Sequence, residues 1–97
     1  MKPVNTKNLV GLDNYTRSAE KETELNNIFQ SLFSQPNGIK VLEYLKSITI
    51  EAVAGSEVTD NTLRHLEGQR YLVGLLQRRT NKGKSQNIVQ EKLNVRL

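Results

Sequence analysis

Few side chains in this sequence are suited to chemistry, and most of them stand between His65 and Lys84. His65 is the one imidazole, and Glu67 lies two residues beyond it, the composition of an acid-base pair. Residues two apart point to different sides of a helix, so the spacing favours a packed or interfacial histidine over catalysis. Asn81-Lys82-Gly83-Lys84-Ser85 has the Gly-Lys-Ser ending of a phosphate-binding loop. It lacks the first glycine at its proper spacing and a preceding strand. Arg78, Arg79, Lys82 and Lys84 could neutralise phosphates in a salt-dependent way. No aromatic accompanies them and no recognition helix is evident, so a solvated or protein-facing basic surface outweighs direct nucleic-acid binding. Glu67 is within three or four positions of Arg64, Arg70 and Tyr71. Such pairs contribute only tenths of a kcal/mol on a solvated helix, but they orient a partner if that face is covered. With no cysteine, disulfides, thiolate metal sites and Cys nucleophiles are excluded. A lone His without a carboxylate-His cluster argues against zinc. The expectation is a protein that is not an enzyme and carries no cofactor.

His65, Glu67, Arg70, Arg78 and Arg79 sit on a helix predicted over residues 60–79, where Leu66, Leu72, Val73, Leu75 and Leu76 form a wide apolar arc that also holds His65 and Gly68. A glycine inside a helix costs about 1 kcal/mol against alanine, so Gly68 predicts a close backbone approach. An earlier helix is expected to start between Asn14 and Ser18, with Glu20, Glu22 and Glu24 suiting its dipole. Its Leu25, Ile28, Phe29, Leu32 and Phe33 recur at steps of three and four, a core-facing stripe. Pro36 breaks the chain and opens a helix from residue 36 to about 54. Val41, Leu42, Leu45, Ile48, Thr49 and Ala52 form its inner stripe, with Gly55 at its end. The β-branched Ile48-Thr49-Ile50 lowers helix propensity there, and a strand is the alternative. Residues 80–85 read as a turn, and the remainder as a short helix or an extended arm.

At 97 residues the chain fits one small domain, and a core of that size buries little more than half of the unfolded surface. Contacts beyond the monomer, oligomerisation among them, are a natural remedy. The predicted fold class is all-α: a helical hairpin or three-helix unit over residues 16–79, with an N-terminal arm at 1–15 and a basic C-terminal arm at 80–97. The net charge of +4 comes from basic ends around a nearly balanced middle. No signal peptide is apparent and no apolar run approaches the roughly 18 residues that cross a bilayer, so the expected setting is the cytosol of the producer, with no membrane.

Phe29-x-x-Leu32-Phe33, then Gly38-x-x-Val41-Leu42-x-x-Leu45, then Glu67-Gly68-Gln69-Arg70 followed by Leu72 to Leu76, resembles a family of short tailed-bacteriophage proteins first labelled from a Bordetella phage. The likeness covers about residues 25–80. It implies a non-enzymatic phage product encoded among head and portal functions, with Gly38, Glu67, Gly68 and Arg70 as the positions that matter. Together with the residue pattern, it predicts a virion structural protein, made in the host cytoplasm and assembled in multiple copies, as a homo-oligomer or ring, at the portal or head-to-tail vertex. Its expected partners are portal or tail-vertex proteins. Partner contacts are expected from Val4, Leu9, Val10 and Leu12, from Glu67, Gly68 and Arg70, and from Val95 and Leu97. The alternative is a small basic DNA-binding or DNA-packaging accessory protein that meets DNA through Arg78, Arg79, Lys82 and Lys84.

Overall fold

A computed structural model describes residues 7–95 and places five elements: β1 (Asn8–Val10), β2 (Thr16–Ser18), α1 (Ala19–Phe33), α2 (Pro36–Ser47) and α3 (Asp60–Val95). The bulk is all-α, as the sequence predicts. The addition is a short antiparallel hairpin that crosses the boundary expected between the arm at 1–15 and the helical unit from 16, where Asn8 faces Ser18, Leu9 faces Arg17 and Val10 faces Thr16. Its turn closes through Gly11 N–H to the Tyr15 carbonyl at 2.8 Å and Asn14 N–H to the Gly11 carbonyl at 3.0 Å. Asn14 takes a φ of 71° there, a left-handed conformation that asparagine tolerates better than most residues.

The start of α1 falls inside the expected window, since the Ser18 hydroxyl caps it by accepting from Lys21 N–H at 3.2 Å. After the break at Ser34-Gln35, Pro36 occupies the first turn of α2. A Cβ on Gly38 would overlap the Leu32 carbonyl, so glycine is what lets this turn fold back on the end of α1. The second helix stops at Ser47, short of the expected 54, and residues 48–51 form turns rather than the alternative strand. Two hydroxyls take up carbonyls at that end: Ser47 donates to the Tyr44 carbonyl and Thr49 to the Leu45 carbonyl, both at 2.6 Å. Together with the β-branched run, they favour termination.

Residues 80–85, expected as a turn, lie inside α3, whose 36 residues extend about 54 Å at 1.5 Å per residue. This helix sets the long dimension of a 58 × 30 × 17 Å molecule with a radius of gyration of 17.2 Å, against roughly 12–13 Å for a compact chain of this length. Gly83 faces α1, where a Cβ would overlap the Asn26 carbonyl and crowd the Gln30 side chain at 2.5 Å. It therefore marks a helix crossing and not a turn. Gly68 is the reverse case: apart from its chain neighbours and the backbone of its own helix turn, no atom lies within 4 Å of the position its Cβ would take. The close approach expected at Gly68 belongs to Gly83. Changing Gly68 to alanine should raise stability by about 0.5–1 kcal/mol through helix propensity alone. A fall in the urea midpoint would contradict the open setting.

The apolar core is thin. Leu42 and Val73 are the fully buried apolar side chains among the described residues. Leu25, Phe29, Phe33, Leu45, Leu66, Leu75 and Leu76 are half-buried around them, and the Phe29 and Phe33 rings stand 6.2 Å apart. The expected stripe of α1 divides. Leu25, Phe29 and Phe33 turn inward, but Ile28 and Leu32 are 55% and 54% exposed, because polar Glu22 and Asn26 hold the inner face. On α2 and the turn that follows it, Val41 and Ile48 likewise fall outside the buried strip of Leu42, Leu45 and Thr49.

Candidate assembly surface and the ion cluster behind it

The most buried side chain of any size is Arg79, 1% exposed. Its Nη1 donates to Glu22 Oε2 at 3.0 Å and Asn26 Oδ1 at 2.7 Å, and its Nη2 stands 3.3 Å from Asp13 Oδ2. Its guanidinium carbon lies 5.9 Å from the centre of the Phe29 ring. Arg17 completes the group, donating to Glu22 Oε1 at 2.5 Å and to both oxygens of Asp13 at 3.1 and 2.7 Å. Leu12 N–H and Tyr15 N–H, each at 3.1 Å, occupy further carboxylate lone pairs. Two cations thus balance two anions, and among the described residues every buried side-chain nitrogen and oxygen has a partner. Removing these charges from water is costly, and complete pairing is the condition under which such a cluster is tolerated. The cluster fastens the hairpin loop, β2, α1 and α3 together.

Arg79 is therefore unavailable to DNA, a correction to its expected role. The signal lay in α1: Glu22 and Asn26 share a helical face with Phe29 and Phe33, and a charged residue on a core-facing stripe calls for a buried counter-charge.

Hydrogen bonding from Arg17 holds the Asp13 carboxyl well below the usual carboxylate range, against an opposing push from burial. Burial pushes Glu22 up, but hydrogen bonds from Arg79, Leu12 N–H and Arg17 more than offset it and leave it below its ordinary value. Both groups bind protons more readily in the unfolded chain. Their contribution is therefore complete above about pH 5 and is lost as pH falls through the ordinary carboxylate range and below it. The urea midpoint is expected to be flat from pH 8 to 5 and to drop below pH 4. A midpoint that rises on acidification would contradict the cluster.

The other expected contacts separate into internal and exposed groups. Arg70 donates through Nε to the Thr49 carbonyl at 2.8 Å, through Nη2 to the Ala52 carbonyl at 2.6 Å, and through Nη1 to Glu67 at 2.7 Å. It pins the segment after α2 onto α3, so its guanidinium is engaged within the chain. Arg70→Ala should cost about 2 kcal/mol, because two part-buried carbonyls lose a charged donor. Amide exchange should speed up near residues 48–54, and unchanged exchange there would count against this role.

Leu9 is 39% and Val10 66% exposed, and Leu12 is half-buried. Val4 and Leu97 lie outside the described residues, as does the side chain of Val95. His65, Glu67 and Gly68 are exposed, as are Arg78, Lys82 and Lys84. The Arg78 guanidinium stands 6.0 Å from the Tyr71 ring centre, an aromatic companion that the sequence pattern hid.

Exposed apolar side chains make up the rest of the surface of interest. On α2 and at its C-cap, Val41, Tyr44 and Ile48 recur at three and four residues, and on α3, Leu72, Ile88 and Val89 are all more than half exposed. An open groove of about 940 Å³ runs over the outer side of α1, from Glu20 past Ile28 and Leu32 to Gln35. No group of three or more His, Asp or Glu that could hold a metal occurs among the described residues, and no helix there is long and apolar enough to cross a membrane.

The chain is a small helical protein whose polar centre is satisfied and many of whose large apolar side chains are exposed. The chain belongs to the Bbp19-like phage protein family, whose pattern it matches over residues 29–90. The match starts at Phe29, takes in α2 and runs through Gly83 to Gln90, further along α3 than the resemblance in its sequence motifs. The hairpin, Glu22 and Asn26 precede it. No curated protein and no solved structure matches the chain.

Proposed function

We propose that this phage protein is a non-enzymatic structural component of the virion, made in the host cytoplasm and assembled in multiple copies at the portal or head-to-tail vertex. The observation that carries this reading is the division of apolar side chains: among the described residues two are buried, while Ile28, Leu32, Val41, Tyr44, Leu72 and Val89 are among those left in solvent. Patches of this kind mark surfaces meant for other proteins. Leu9 and Val10 at the hairpin edge add to them. Portal and tail-vertex proteins are the expected partners. Co-expression with the portal protein, followed by sedimentation, should move this chain into the portal fraction. A chain that stays at the top of the gradient with portal and tail proteins present contradicts the proposal.

A DNA-packaging accessory is the second reading, favoured by the exposed Arg78, Lys82 and Lys84 on α3. With Arg79 withdrawn, three cations support a slope of log affinity against log salt no steeper than about −2.7. Binding with a slope approaching that limit, made shallower by Lys82→Gln and Lys84→Gln, would favour this reading over the first.

A further inference from the structure

We infer that copies of this chain join head to tail, the outer face of α1 on one copy seated against the outer face of α3 on the next. The inference rests on the multi-copy reading above and names the contact it would use. On α1, the exposed Glu20 and Glu24 are followed by the exposed Leu32 along the open groove, with Lys21 at its rim. On α3, the exposed Arg78 and Lys82 are followed by the exposed Val89. Both stripes therefore read charge, charge, apolar over roughly 17–18 Å at 1.5 Å per residue, with opposite signs. Laid parallel, Glu20 meets Arg78, Glu24 meets Lys82 and Leu32 meets Val89.

The signs disfavour symmetric pairings laid in parallel. Two α1 faces would then set Glu20 and Glu24 against their own kind, and two α3 faces would oppose Arg78 and Lys82. An antiparallel pair of like faces brings no opposite charges together, whereas the unlike pairing does, and it cannot form within one chain, because α1 already packs on α3 through its opposite side, by Glu22 and Asn26. A contact between two different faces is heterologous, and it propagates until a rotation closes it into a ring.

The test is sedimentation of the full-length protein and of two charge-reversed variants, E20K/E24K and R78E/K82E, with far-UV circular dichroism to establish that each is folded. Wild type should be oligomeric. Each variant alone should associate about tenfold or more weakly, and an equal mixture of the two should regain oligomers, because basic α1 then meets acidic α3. The contact is overturned if wild type is a monomer, if the folded variants associate as wild type does, or if mixing restores nothing. Loss of DNA binding with unchanged oligomers would assign the α3 stripe to DNA instead. Oligomers indifferent to the reversals refute the contact and leave the virion reading standing. Absence from particles alongside charge-sensitive oligomers does the opposite.

Discussion

Arg79→Met should destabilise the protein by about 3–5 kcal/mol, the usual cost of breaking a buried ion pair by removing one partner. Methionine fills much of the space, so the loss is electrostatic. Glu22 would keep only Arg17 and Leu12 N–H, and Asn26 Oδ1 would lose its 2.7 Å donor. The cluster would change from neutral to one net negative charge inside a molecule whose total stability is expected at about 5–15 kcal/mol. Urea unfolding followed by circular dichroism should therefore show a midpoint far below that of wild type, reaching zero denaturant if the wild-type total lies at the low end of that range. The double variant Arg79→Met/Glu22→Gln isolates the cause. It removes one charge of each sign, leaves Asp13 with Arg17, and should recover part of the loss. A single variant within 1 kcal/mol of wild type, or a double variant less stable than Arg79→Met, would show that the cluster does not hold the hairpin and helices together.

Gly83→Val should cost about 2–3 kcal/mol, although valine is the better helix former. The clash is with the Asn26 carbonyl and the Gln30 side chain. A carbonyl inside α1 cannot yield without moving the whole helix, and overpacking of this kind typically costs 1–3 kcal/mol. Moving α1 also disturbs the 3.0 Å bond from Asn26 to Gln86 and the 2.9 Å bond from Asn87 to Gln30. The contrast with Gly68→Ala is the useful measurement, because two glycines of one helix respond with opposite sign. Equal responses would mean that α1 does not cross α3 at Gly83.

The fold class, the three helices, the capped start of α1 and the Pro36 break were legible because each depends on local pattern: periodicity, capping hydroxyls and the proline ring. Two features were not local. The length of α3 was hidden because Gly83 and its polar neighbours look like a turn until α1 is known to lie against them. The role of Arg79 was hidden because it depends on Glu22, 57 positions away, and in sequence it reads as one more cation in a basic run. Among the expected partner contacts, Arg70 proved to serve its own chain, whereas the exposed Leu9 and Val10 kept surfaces open to other proteins. Physical chemistry at single positions indicates which side chains seek company. It does not say whether that company comes from the same chain.

Quantitative mass spectrometry of purified particles tests the central claim most directly. The chain should be found in the intact virion in several copies, at a fixed ratio to the portal subunit that survives high-salt washing. Abundance in the infected lysate with none in the particle would contradict a permanent structural role.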